Sequence, residues 1–513
     1  MTVAIQGQNV LPDGRVELTP EADAALGETR LHNADLAPVP IAKRTWTTYN
    51  YSALWVGMAI NIPSWLLASG LVDQGMSWFQ AILTIGLANV IVLVPMILIS
   101  HGGTKYGIPY PVFARAAFGV FGANLPALIR AGVACGWFGI QTWIGGGAIF
   151  ALVGALLGDG GGWWTDAAKF PMLIGSAQPW TLWLSFAVFW AINILVILRG
   201  MEAVKRFENW AAPFMIVVFL TLLAYMIFQA KGLGPILEQP GKLGWGSEFW
   251  AIFPAALMGM IAFWSTLSLN MPDFTRFGRS QREQALGQAI GLPTTMTLFP
   301  LVGVLTTSAT VIVYGEAIWD PVALAAKLDN PIFIILAMFT LAVATLSTNI
   351  AANVVSPAYD FSNLWPSRIS FRTGGLITGV IGILIFPWEL LANSSLYIFT
   401  WLGTYGGATG AIAGVLIADY WLIRRTNLRL RDLYTATGAY RYASGWNWRA
   451  VVALLVGIVF AIGGSNGGPF PADGIIPLLK PLAAYSWVVG LLVAGALYYV
   501  LAKVVPARET EAA

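Results

Sequence analysis

Residues 57–63 read Gly57-Met58-Ala59-Ile60-Asn61-Ile62-Pro63, inside an apolar run from about 50 to 71. Glycine and proline both weaken a helix, the proline because it brings no N–H and its ring crowds the preceding turn. In a run long enough to cross a bilayer, such a break frees backbone polar groups that hydrocarbon cannot satisfy. It is tolerated only where protein, water or a guest meets those groups. A second run, near 249 to 270, carries Gly259, Trp264 and the following Asn270-Met271-Pro272, so the sixth helix, like the first, is expected to be interrupted. Two readings of Pro63 stand open: a simple kink in a packed helix, or an interruption that presents backbone to a ligand.

Around these two lie further apolar runs near 77 to 100, 124 to 157, 179 to 198, 207 to 230, 286 to 314, 331 to 355, 373 to 389, 394 to 421, 449 to 464 and 482 to 502. A bilayer core roughly 30 Å thick needs about 20 apolar residues per helix. The 513 residues are 57% hydrophobic and only 10% charged, far more apolar than a soluble core of that length can bury. The sequence therefore predicts an all-α membrane protein of twelve transmembrane helices. Because the first and sixth runs stand five apart, they cross in opposite directions, the relation of a five-plus-five inverted repeat. The expected organisation is an N-terminal tail (1–45), a ten-helix transport core (46–425), a loop (426–448), two additional helices (449–502) and a C-terminal tail (503–513).

The basic residues orient this arrangement. Lys and Arg are retained on the cytoplasmic side, and an even helix count puts both termini there. Arg15, Arg30, Lys43, Arg44, Lys105, Arg115, Arg199, Lys205, Arg206, Arg276, Arg279, Arg282, Arg368, Arg372, the group from Arg424 to Arg449, Lys503 and Arg508 all fall on that side. Only Lys169, Lys231, Lys242, Lys327 and Lys480 fall outside, with Arg130 within the start of the third run. A multi-pass protein of the inner cell membrane with cytoplasmic termini is expected, and residues 426–448 read as a topology anchor. One cysteine and two histidines exclude a disulfide framework and disfavour a Cys/His metal centre. The net charge of +3 gives no reason to expect nucleic acid as a partner. Nothing sets the oligomeric state, and a monomer suffices.

Polar side chains in mid-span are costly unless bonded. Trp137 and Gln141 share one face of the third run. Trp137 is open to two readings, a packed core indole or a platform for a ligand, and Gln141 to two as well, helix-to-helix glue or a ligand contact. The eighth run holds Ser347-Thr348-Asn349 and Asn353, the two amides one turn apart. Ser347 and Thr348 either bond back to their own helix or offer hard oxygen ligands to a cation. Asp and Glu are absent from the middle of the runs, since Glu208, Asp273, Glu389 and Asp419 fall at or near run ends, and this disfavours a buried carboxylate relay. A membrane enzyme is disfavoured for the same lack of acid, base and metal groups, whereas a channel remains a rival to a transporter.

With Asn61-Ile62-Pro63, Pro111-Val112-Phe113-Ala114-Arg115, residues Gly136 to Trp143, Asn270-Met271-Pro272-Asp273 and Ser347 to Asn353 in view, the chain resembles the nucleobase-cation-symport-one transporters over residues 45 to 435. The resemblance implies a leucine-transporter-like fold and a symporter for a small neutral planar nitrogen heterocycle of the allantoin, uracil, cytosine or hydantoin class. It implies Trp137 and Trp264 as the two walls of the ring site, with Gln141, Asn353 and Asn61 as amides at its edge, and Asn349 is grouped with them. Asn at position 61 favours allantoin or uracil over hydantoin. For a coupling Na⁺ (or H⁺) the resemblance implies Gly57 and Ile60 from the first helix and Ala344, Ser347 and Thr348 from the eighth, with no other cofactor. Thiamine, a nucleoside or an amino acid is the alternative cargo.

Overall fold

In the computed structural model, residues 7–505 are described apart from 28, 172–176, 329–330, 391–393 and 467–469. The expected terminal tail, with Arg508, therefore lies mostly outside the described residues. Nine helices are long and apolar enough to cross a membrane, a tenth crossing is a bent pair, and two shorter apolar helices follow, among the described residues. They occupy the twelve apolar runs of the sequence. We number them α1 (Thr48–Ala59, continuing as Ile62–Asp73), α2 (Trp78–Tyr106), α3 (Asn124–Leu157), α4 (Trp180–Leu198), α5 (Met201–Ala230) and α6 (Ser247–Asn270). The second half comprises α7 (Gln281–Tyr314), α8 (Pro331–Thr348, with a π-helical segment Asn349–Val354 and then Val355–Leu364), α9 (Phe371–Leu384), α10 (Ser394–Ile417, running on through Ala418–Ile423), α11 (Trp448–Ile462) and α12 (Ser486–Val504).

Local chemistry sets the boundaries. At the start of α2, Ser77 and Gln80 cap one another reciprocally, at 3.2 and 2.8 Å, and the helix ends where Gly107 takes φ 70°. Ser280 caps α7 by accepting from the Glu283 N–H. Small residues let backbones touch where helices must pack without a hydrophobic drive between them. A Cβ at Gly410 or Gly414 would strike the backbone of Trp487 or Leu491, so α12 lies tight along α10.

Three expectations change. The sixth helix is not interrupted in mid-span: α6 is continuous to Asn270, and Pro272 merely opens a four-residue helix, Pro272–Thr275, where a missing N–H costs nothing. The fifth run is longer than its apolar part, because α5 begins at Met201 after Gly200 at φ 82°, so Glu208 lies two turns inside the helix and is buried. Finally, the N-terminal tail and the 426–448 loop fold together. A hairpin (Gln8–Val10 with Val16–Leu18) leads into the tail, and Gln8 bonds the backbone of Leu428 and Leu430. The Tyr434 hydroxyl donates to Leu36 O, and buried Arg115 donates to Leu31 O and Leu433 O. The loop is thus a docking surface for the tail as well as a cluster of positive charge.

Candidate functional site

The α1 break is built by Asn61. Its Oδ1 accepts from the Ser64 N–H at 2.9 Å, capping the second half, while its Nδ2 donates to Met58 O at 2.6 Å. The two halves meet at a 59° bend. Because the Asn61 N–H turns to Ala59 O, the Gly57 carbonyl loses its helical donor. Both polar ends of the Asn61 side chain are therefore committed to the break, which differs from the edge-reading role implied by the resemblance. Pro63 sits in the first turn of the second half, where its ring fits, so it marks an interruption rather than a kink.

The freed carbonyls face α8. Thr348 donates its hydroxyl to Met58 O at 2.9 Å and lies 3.4 Å from Gly57 O. Ser347 donates instead to Glu208 Oε2 of α5 at 2.6 Å. Neither hydroxyl bonds back into its own helix, as Thr345 does with Leu341 O. Ala344 shares their face and is buried. Ile60 ends the first half of α1, and the Thr348 contact goes to Met58 and Gly57 in its place.

One residue further along α8, the helix widens to π geometry over Asn349–Val354, a distortion common where a helix serves a ligand. Asn349 donates to Thr142 Oγ1 of α3 at 3.1 Å and accepts from Asn353 Nδ2 at 3.1 Å. Trp137 and Gln141 lie on the same α3 segment as Thr142. The Trp137 Nε1–H donates to Tyr405 Oη at 3.2 Å, and its ring meets Phe263 of α6 edge-on at 5.6 Å. Phe263 in turn meets Trp264 at 5.0 Å, and Trp264 meets Trp55 of α1 at 5.4 Å, both edge-on. Gln141 Oε1 and Trp264 Nε1 are both buried without a partner among the described residues. The structure thus brings together Trp137, Gln141, Trp264, Asn349 and Asn353 across α3, α6 and α8, and adds Trp55, Thr142, Phe263 and Tyr405.

Towards the end of the bundle that carries the tails, the helices are locked together by a charged network. Arg130, in the second turn of α3 and fully buried, donates to Asn270 Oδ1 at 3.1 Å and to Ala352 O at 2.9 Å. Asn270 also bonds Ser356, and Asp273 Oδ1 accepts from the Tyr110 N–H at 2.8 Å. The buried carboxylates of Asp273 and Asp360 act on Arg130 electrostatically. Asp273 lies beyond the last residue of α6, as expected of a run-end acid, and it is Glu208, two turns inside α5, that departs from the expectation that acids fall only at or near the run ends. Glu208 was hidden by its neighbours: Glu202, Lys205 and Arg206 make the start of α5 read as loop. The signal was Gly200, a natural helix boundary from which Glu208 falls two turns in.

Residues 38–490 match the model of a family described as permeases for cytosine and purines, uracil, thiamine and allantoin. The chain is 42% identical to the allantoin permease of Bacillus subtilis over 477 residues, covering 93% of this chain and 94% of that one. It is 40% identical to a purine-uracil permease of Arabidopsis thaliana over 444 residues, or 86% of this chain and 73% of the plant protein. Among solved structures, a nucleobase-cation-symport-1 transporter, closed with bromovinylhydantoin bound, superposes with a TM-score of 0.76. It is 24% identical, and the match covers 93% of this chain and 97% of that one. The fold is thus the one implied by the resemblance, and the protein is a multi-pass membrane transporter rather than an enzyme. The chain belongs to the family of permeases for cytosine and purines, uracil, thiamine and allantoin.

Proposed function

We propose that this chain is a secondary active symporter that imports a small neutral planar heterocycle of the allantoin or uracil class together with Na⁺. The observation that carries the proposal is a shared helix. Ser347 and Thr348 of α8 reach α5 and α1, and Asn349, the next residue, reaches α3 and Asn353. Any cation drawn to the first corner and any ring held at the second would therefore bias the same helix. A flat ring edged with N–H and C=O suits the second corner: indoles cover its faces, and the unpartnered Gln141 Oε1 and Trp264 Nε1 offer an acceptor and a donor. The freed α1 carbonyls and α8 hydroxyls are hard oxygen donors suited to Na⁺.

Alternating access follows from the same parts. The Arg130 network ties α3, α6 and α8 together toward the end that carries the tail, so an opening on that side would require that it separate. The distribution of Lys and Arg supports a cytoplasmic tail face in a cell membrane. Coupling is reciprocal, so Na⁺ tightens the heterocycle and the heterocycle tightens Na⁺. The test is uptake of radiolabelled allantoin, uracil, cytosine, hydantoin and thiamine at several Na⁺ concentrations, with choline as replacement at fixed pH. Na⁺-stimulated accumulation of allantoin or uracil is expected. Uptake of either that is indifferent to the replacement overturns the sodium assignment, and flux that never exceeds equilibration points to a channel.

A further inference from the structure

We propose that Glu208 is a direct, anionic ligand of the coupling cation, completing an oxygen site with Gly57, Met58, Ser347 and Thr348. The inference rests on the reading of this corner as a cation site and adds to it a fifth helix and a formal charge. Glu208 is 2% exposed. One carboxylate oxygen accepts from Ser347 Oγ at 2.6 Å, and the other, Oε1, is buried with no partner among the described residues. Among the described residues, none of the ion pairs includes Glu208. A buried carboxylate without a countercharge is costly; the Ser347 hydroxyl offsets part of that cost, and the neighbouring α1 carbonyls, being acceptors only, add to it unless a cation stands among them.

The sequence makes room for this carboxylate. A Cβ built at Gly57 would collide with Glu208 Oε2 and come within 2.7 Å of Ser347 Oγ. Glycine at this one position thus lets α5 deliver its acid against the carbonyls that the α1 break has freed. Thr348 already touches Met58 O and Gly57 O, so the acid, two hydroxyls and two carbonyls lie in one contiguous chain of contacts. Hard monovalent cations prefer such oxygen sets. The charge has a specific consequence. With Glu208 ionised the site carries −1 and becomes neutral when Na⁺ enters, so it attracts Na⁺ more strongly than a set of neutral dipoles would.

The test uses the full-length protein in lipid nanodiscs, at fixed pH, with choline replacing Na⁺. Two readouts are taken: the Na⁺ concentration giving half-maximal binding of radiolabelled allantoin or uracil, and the rise in melting temperature produced by Na⁺ alone, which needs no substrate. Glu208→Gln preserves shape and a hydrogen bond to Ser347. It is expected to raise the half-maximal Na⁺ concentration at least tenfold and to abolish the Na⁺-dependent thermal shift, with heterocycle affinity at saturating Na⁺ within threefold of wild type. Glu208→Asp, which keeps the charge but shortens the arm, is expected to fall between. A wild-type protein that binds the heterocycle with no response to Na⁺ overturns the underlying cation reading. A wild-type response retained unchanged in Glu208→Gln overturns the role of Glu208 alone. Should Glu208→Gln elute as aggregate, Glu208→Asp decides: an unchanged half-maximal Na⁺ and thermal shift there refute the assignment, and a weakened pair supports it.

Discussion

The helices α1 and α6 run in opposite directions at equivalent places in the two halves of the core, and the sequence marks both with glycine, asparagine and proline. Only α1 breaks. Its Pro63 lies inside the crossing and is set off by Asn61, whereas Pro272 lies beyond the last residue of α6. The consequence is a division of chemistry: α1 offers backbone carbonyls to the corner proposed for the cation, while α6, continuous apart from the one N–H that Pro254 lacks, offers side chains, Phe263 and Trp264, to the corner proposed for the ring. An intact helix can hold aromatic walls rigidly, because each ring is anchored by a fixed backbone. A broken one can present oxygens, because the break removes their internal donors.

The two glycines give the sharpest way to break this comparison. Gly57 of α1 has no space for a methyl group, whereas a Cβ at Gly259 of α6 would meet nothing within 4 Å. Gly57→Ala is expected to cut Na⁺-driven uptake by up to roughly a hundredfold, the upper end of the about 1–3 kcal/mol that overpacking costs, since relief comes by expelling Glu208 or Ser347 from the corner. Gly259→Ala is expected to stay within about twofold, as an open site can accept a methyl group at little cost. Matched uptake assays on protein quantified in the membrane compare the two. Equal losses would show that the break, rather than the corner it creates, sets activity.

Side-chain chemistry on the other side of the comparison should yield smaller effects, confined to the heterocycle. Gln141 has a buried carbonyl oxygen without a donor, so Gln141→Ala removes a cost from the unliganded protein and a contact from the complex. Its heterocycle affinity is expected to fall by about 1–3 kcal/mol, roughly 5- to 150-fold, with unchanged or improved thermal stability in the absence of ligand. Trp264→Leu retains apolar bulk but loses edge-on contacts to Trp55 and Phe263. An affinity loss of about 0.5–1.5 kcal/mol is expected, with the Na⁺-only thermal shift preserved. Loss of that shift in Trp264→Leu would mean that the two corners are not separable.

Much of this was legible beforehand because its physics is local or summed. The membrane class follows from apolar run lengths, and the positions of Trp137, Gln141, Ser347 and Thr348 follow from polarity at a depth where polarity is costly. What escaped depended on partners distant in sequence. Trp55 reads as one more membrane tryptophan until α6 sets Trp264 against it. Glu208 reads as a helix-end acid until α8 sets Ser347 beside it, 139 positions along. The π segment that begins at Asn349 leaves no mark of its own in composition, because it arises from packing. The tail and the 426–448 loop each look unstructured alone, and their order comes from contacts such as Gln8 with Leu428 and Leu430.

Asn61 supplies the finest distinction. By resemblance it belongs to the ring site, yet in the structure its oxygen caps one half-helix and its nitrogen closes on the other. If the side chain serves the break, Asn61→Ala should lower stability by about 0.5–2 kcal/mol through loss of the cap, and Asn61→Ser, which can still accept from the Ser64 N–H, should recover most of that loss. In both variants, heterocycle affinity in saturating Na⁺ should then stay within about threefold of wild type, since neither lost bond runs to the ring. If the side chain serves the ring instead, serine should fail to restore affinity even where it restores the melting temperature. The pair of readouts therefore decides whether Asn61 contributes to the ring site by its side chain, or whether its contribution is to hold the break that turns the α1 carbonyls toward α8.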